Sequence, residues 1–391
     1  MERFRHAYLC LAALTFAAAS NAPAATLKVG PGATFAVPSA AFQAAQDGDI
    51  IEIAPGTYPG DVATIHANKL TIRGLGPEHI KIPAAGKHAG GKAIWVTTGH
   101  DLTIENIEFS GARVPDHNGA GIRAEGANLT LRNCRFYDCE DGILGGNGEM
   151  LIEHCQFAHC GPVANPATHS LYIGERCTRL IFQYNYSTDV IEGHLLKSRA
   201  RASWLLYNRL TDENGTGSAV ADFPNGGYVV LLGNILHKGP KAQNTRVIAY
   251  GMEGIKHETN ALFVVHNTMV YENHRGGACF VNVQKTADDF VPVIRNNLCV
   301  GKIPLTNRPN ADATGNLLLP TLPEAKFLDA AKYDYHLRPN SPAIDKAVAA
   351  GQAGDFDLTP KFQYVHPAQA AARPATGLLD IGALEYQPTP H

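Results

Sequence analysis

From about residue 100 onward, short apolar bursts alternate with polar punctuation, and the bursts repeat. A strand closing on Asn returns at 102–106, 129–133, 204–208, 229–234, 262–267 and 292–296, with His154 and Tyr184 in the Asn position of two weaker copies. Successive ends are 21 to 33 residues apart. A second apolar column precedes them with matching intervals: Ile94, Ile122, Ile143, Leu171, Leu195, Val220, Val247 and Phe280. Alternation within each burst is that of strands, and two columns sharing one irregular period describe coils stacked about 4.8 Å apart. The pattern predicts an all-β right-handed parallel β-helix over 25–320, its inward columns forming a dry core. Asn at each turn suits left-handed backbone and side-chain stacking, so that column reads as structural.

A solenoid exposes its core at both ends and needs covers. Residues 38–46 predict a short amphipathic capping helix, and 321–391 an irregular tail packed back on the coils. With both ends covered and no open sheet edge, a monomer is expected. Before the first strand, Arg3 and Arg5, an apolar run over 7–19 and Ala22-Pro23-Ala24 have the layout of a cleaved export signal spanning 1–24. The run is short of the roughly 20 residues that a bilayer crossing needs. The expectation is an exported protein, periplasmic or extracellular, with no membrane insertion.

Of the 8 cysteines, Cys10 lies in that leader. Cys134 and Cys139 return one coil later as Cys155 and Cys160, so each pair stacks on neighbouring strands, either as staples or as a ladder of buried thiols. A net charge of −3 gives no reason to expect nucleic acid; affinity for an anionic polymer must come from a local cluster.

Such a cluster lies between His169 and Glu253. Lys197, Arg199 and Arg201 leave an apolar strand in close succession, suited to repeated carboxylates or sulfates. Aligning the columns puts Ser170, His194, Ala219 and Arg246 in one outward row, Ile173, Lys197, Asp222 and Ala249 in another, and Glu175 one coil from Arg199. Cleaving a polyuronate by β-elimination requires neutralising a carboxylate, removing the adjacent proton and protonating the leaving oxygen. Lys197 is the first candidate base, with its pKa lowered by neighbouring Arg199 and Arg201; His169 and His194 are candidate acid or base, and Arg199 and Arg246 candidate charge stabilisers. Tyr172, Glu175, Arg201, Asp222, Asn225, Tyr250 and Glu253 are candidate sugar contacts. No metal site is expected: Asp212, Glu213 and Asp222 offer carboxylates to Ca²⁺, but no compact calcium loop is present.

The segment from Lys197-Ser198 to Asn208 resembles the Lys-Ser motif followed by a turn Asn in β-helical polysaccharide lyases of the alginate lyase and chondroitinase B type. The resemblance implies that Lys197 is the Brønsted base, assisted by an Arg on the next coil. Here that coil carries Asp222 instead, so Arg199 or Arg246 would have to take the role. The phrase GHLLKSRA followed by DFPNGG also resembles a broad group of secreted bacterial right-handed β-helix proteins, whose closing segments 333–345 and 378–386 resemble. The expected activity is a lyase acting on an acidic polysaccharide. A glycoside hydrolase using Asp212, Glu213 and Asp222, an epimerase, and a non-catalytic carbohydrate-binding or surface-structural β-helix are the alternatives.

Overall fold

The computed structural model describes residues 24–161, 168–374 and 377–388, so the expected export signal lies, but for its last residue, outside the described residues. Each regular coil contributes three parallel strands, one more than the apolar pattern predicts. In one central coil these are Leu196–Ser198, Ala202–Leu206 and Arg209–Thr211. The missed strand is short and starts directly after the Asn turn, leaving no separate periodic segment to read. Stacked coil on coil, the strands form three parallel sheets. Two of them join into one 18-stranded sheet, and the third has 10 strands. The joining occurs where Ala120–Arg132 and Asp141–Glu153 run unbroken through the corner. Among the described residues no helix is long and apolar enough to cross a membrane.

The core is a file of inward side chains. Trp95, Phe109, Phe136, Phe157 and Phe182 succeed one another with ring centroids 4.9 to 6.0 Å apart, and Phe42 closes the file edge-on to Trp95 at 4.9 Å. Phe42 belongs to the expected capping helix, observed as Pro38–Ala44 with proline in its first turn.

The single Asn column of the sequence resolves into two adjacent ones. Asn106, Asn133, His154, Tyr184, Tyr207, His266 and Asn296 take left-handed backbone at the corner, and Gly233 does so in its coil. One residue further on, Asn185, Asn208, Asn234, Asn267, Asn297 and Asn316 form an internal ladder, each Nδ2 donating to the next Oδ1 at 2.8 to 3.0 Å. In earlier coils this inner column holds Cys134 and Cys155, and the Cys155 N–H donates to Asn185 Oδ1 at 2.9 Å. The four paired cysteines are buried free thiols, so the ladder alternative describes them; burial pushes the Cys139 thiol up to about 12.

The C-terminal tail packs on the outer faces of two sheets. Tyr364, Ile381 and Leu384 lie on Ile235, Val270 and Leu298, while Ala350, Ala353 and Leu358 lie on Val230, Leu232 and Val265. The outer face of the remaining sheet carries the polar cluster.

Candidate functional site

On that sheet the strands Leu171–Ile173, Leu196–Ser198, Ala221–Phe223 and Ile248–Tyr250 lie side by side. Tyr172 pairs with Lys197, Lys197 with Asp222, and Asp222 with Ala249. The expected rows are therefore one residue out on the Leu171 coil: Tyr172 replaces Ile173 beside Lys197, and His169 replaces Ser170 beside His194. Leu195 and Leu196 are both fully buried at this corner, so apolarity alone does not choose between them, and the slip turns neighbouring side chains to the opposite face.

The corrected register assembles a compact network. Arg199 donates through Nε to the Tyr172 hydroxyl at 2.7 Å and through Nη1 to Asn225 Oδ1 at 2.6 Å. It also grips Glu253, with Nη2 to Oε1 at 2.9 Å and Nη1 to Oε2 at 2.7 Å. Lys197 Nζ reaches the same Glu253 Oε1 at 3.1 Å and Asp222 Oδ2 at 3.9 Å. Hydrogen bonds from Arg199, then from Lys197, draw the Glu253 carboxyl down to about 2. The charged groups closest to the Lys197 ammonium are thus carboxylates, in place of the cationic surroundings expected from sequence.

Both histidines sit deeper. His169 Nδ1 accepts the His194 N–H at 3.1 Å, and its own N–H donates to Asp141 Oδ1 at 2.7 Å. Burial first, then His194, Lys197 and Arg199, push its pKa well below the ordinary value; a neutral ring that accepts at Nδ1 carries its proton on Nε2. His194 Nδ1 accepts the Ala219 N–H at 3.4 Å while its Nε2 lies 3.1 Å from Asp222 Oδ2, a geometry that makes it a donor orienting Asp222. The His169 ring stacks on Tyr172 at 5.4 Å, and Lys197 and Arg199 lie 5.9 and 5.6 Å from the centre of the Tyr172 ring. The tyrosine is thus fixed by cations and an imidazole together.

Other candidates fall elsewhere. Tyr250 faces inward, fully buried, donating to Gly227 O at 2.8 Å, so it is a core residue and no sugar contact. Arg201 is exposed beyond the strand, and register places Arg246 two coils past His194; the network is built without them. Asp212 is fully buried against Lys238 at 2.9 Å, and Glu213 pairs with Arg209 and accepts from Thr211 at 2.9 Å, so neither joins Asp222. Among the described residues no three His, Cys, Asp or Glu side chains gather as metal ligands would.

A cleft of about 490 Å³ opens beside the network, with Gly145, Gly146 and Gly174 along it and Arg123, Glu175 and Arg199 among its walls. Glu175 is two-thirds exposed and 3.9 Å from Lys256. Sequence reasoning missed Arg123, Asp141 and His257, whose Nε2 lies 3.2 Å from Arg199 O. Of these only Arg123 had a readable signal, its outward position directly after the inward Ile122.

A family model described as a right handed beta helix region matches residues 86–230. No curated protein matches the chain in sequence. Among solved structures, the pectate lyase Pel9A superposes with a TM-score of 0.62 at 14% identity, covering 93% of this chain and 96% of that one. An alginate lyase from a Paenibacillus species gives 0.48 at 14% identity, covering 75% and 99%. A pectin methylesterase from Aspergillus niger gives 0.30 at 16% identity, covering 76% and 90%. The stacked parallel sheets, the family model and the superposition on Pel9A agree: this chain is a right-handed parallel β-helix of the pectate lyase architecture.

Proposed function

We propose that the protein is a lyase acting on a uronic-acid polysaccharide by β-elimination. One observation carries the reading: Arg199 and Lys197 together hold a carboxylate, that of Glu253, beside the Tyr172 hydroxyl. A sugar carboxylate taking the place of Glu253 would have its charge neutralised by the same guanidinium, and the enolate-like intermediate would be stabilised there. Lys197, with Glu253 displaced from it, takes the proton from the carbon next to that carboxylate. The electron pair left behind expels the glycosidic oxygen, forming the carbon–carbon double bond, and the Tyr172 hydroxyl supplies the proton to the leaving oxygen. The test is ultraviolet absorbance of the unsaturated product during incubation with a panel of uronic-acid polysaccharides. Lys197→Ala should abolish the signal. A panel-wide absence of signal from the wild-type protein refutes the reading.

A second reading has its own support. Asp222 and Glu253 both approach Lys197 Nζ, at 3.9 and 3.1 Å, so their nearest oxygens are at most about 7 Å apart, a limit that admits the roughly 5–5.5 Å pairing of a retaining glycoside hydrolase. New reducing ends without absorbance, lost in both Asp222→Asn and Glu253→Gln, would favour that chemistry.

A further inference from the structure

The cleft extends well beyond the Lys197 network. Arg123 pairs with Leu144, Leu144 with Tyr172, and Tyr172 with Lys197, all on the outward face of one sheet. Three coil spacings therefore separate Arg123 from Lys197, about 14 Å. Leu144 and Tyr172 lie between them, and in the row alongside, where neighbouring coils carry Arg199 and Glu125, Gly146 and Gly174 leave the cleft open, with Gly145 next to them. Gly174 has no positive φ, and a Cβ added there would meet its nearest protein atom at 3.7 Å, ordinary contact. Its lack of a side chain is therefore demanded by neither backbone nor packing, and what it leaves is open space in the cleft.

The two ends of this trough differ in how their guanidinium groups are used. Arg199 is occupied by Tyr172, Asn225 and Glu253. Arg123 makes, among the described residues, one side-chain ion pair, 3.8 Å to Glu125, and its charge also acts on the buried Asp141 carboxyl. Glu125 is itself held by Lys92 at 2.6 Å, and the Arg123 side chain remains 29% exposed. A planar fork with spare donors, facing the far end of the cleft, is suited to a carboxylate.

Building on the lyase reading, we infer that Arg123 is a distal carboxylate station, and that the trough takes a run of uronic-acid units, one at Lys197 and Arg199 and another at Arg123. It follows that a polymer with acidic units closely repeated is preferred over one with isolated uronates. Arg123 acts as a specificity-determining residue and takes no part in bond breaking.

Calorimetric titration with a graded series of oligouronates, dimer to hexamer, tests this on the full-length chain, carrying Lys197→Ala where turnover interferes. Affinity should rise with length until the oligomer spans the trough. Arg123→Ala should flatten that rise, weakening the longest oligomers about tenfold, the scale of one charge-assisted hydrogen-bonded contact, while the dimer is held as before. Gly174→Leu, which narrows the trough beside Arg199, should weaken oligomers of every length, with an unchanged melting temperature reporting an intact fold. If the wild-type protein binds oligouronates but Arg123→Ala leaves the length dependence intact, the distal station is wrong and the lyase reading stands. If no oligouronate of any length binds the wild-type protein, the lyase reading itself fails.

Discussion

Replacing Asn234 by Leu removes one rung of the internal ladder while keeping the branched skeleton of four side-chain heavy atoms. Asn234 Nδ2 donates to Leu205 O at 2.8 Å and to Asn267 Oδ1 at 2.9 Å, while its Oδ1 accepts the N–H and the Nδ2 of Asn208, both at 2.9 Å. The residue is fully buried. Four hydrogen bonds at roughly 1 kcal/mol each sum to about 4 kcal/mol, and the Asn208 N–H left as a buried orphan donor keeps the figure from falling much below that. Asn133→Gly is the control. Asn133 sits in the neighbouring left-handed column, half-buried, its side chain donating to Asn106 at 3.0 Å, and glycine adopts its backbone freely; the expected cost is about 1 kcal/mol. Equilibrium unfolding in denaturant, followed by far-ultraviolet circular dichroism, compares the two. Equal losses of stability would refute the separation of the Asn residues into a ladder and a turn column.

Glu253→Gln should bind oligouronates more tightly on the lyase reading, because a carboxylate that competes for Arg199 and Lys197 has gone; weaker binding in calorimetry would make Glu253 part of the sugar site. The Glu253 carboxyl falls from an ordinary 4.5 to about 2 in the folded protein, so its contribution is present above about pH 4.5 and is lost as pH drops toward 2. With the side chain 45% exposed, solvent screening leaves about 1 kcal/mol. The test is wild-type stability against pH, compared with Glu253→Gln. Lys238→Met strands the Asp212 charge in a fully buried site and should cost about 3–5 kcal/mol in denaturant unfolding, while Asp212→Asn combined with Lys238→Met should recover much of it; no recovery would refute the pair as the cause. Cys134, Cys139, Cys155 and Cys160 should resist a thiol reagent in the native state and react on unfolding; fewer titratable thiols after non-reducing unfolding would reveal a disulfide.

The solenoid was legible because its signal is repeated. An irregular coil length shared by two apolar columns survives weak copies such as those at His154 and Tyr184. Register within a coil is harder, because it depends on single residues. Leu195 and Leu196 are both buried, and parity lost at that corner placed Ile173 where Tyr172 belongs. The same ambiguity hides Tyr250, which pairs with Phe223 and Val283 and so faces inward. Lys197, Arg199, Asp222 and Glu253 were recognisable because charged residues are rare so close to apolar strands. Their pairing was not, because Glu253 reaches Arg199 from a segment 54 residues away, a distance that only stacking makes short. Arg123 is a solitary cation in the sequence, and only stacking shows that it shares a cleft with Arg199.

The Asn ladder and the left-handed corner recur without reference to what each coil carries outside, so the stack has no preferred number of turns. The network from Tyr172 to Glu253, by contrast, occupies only a few successive turns. Gaining or losing a turn between the capping helix and Ala120 would lengthen or shorten the rod and leave this network untouched. A gain or loss between Arg123 and Lys197 would instead change the span of the trough by one inter-strand spacing, about 4.8 Å. In such a molecule reach is set by counting turns, whereas reactivity is set by side chains, and the two can vary independently.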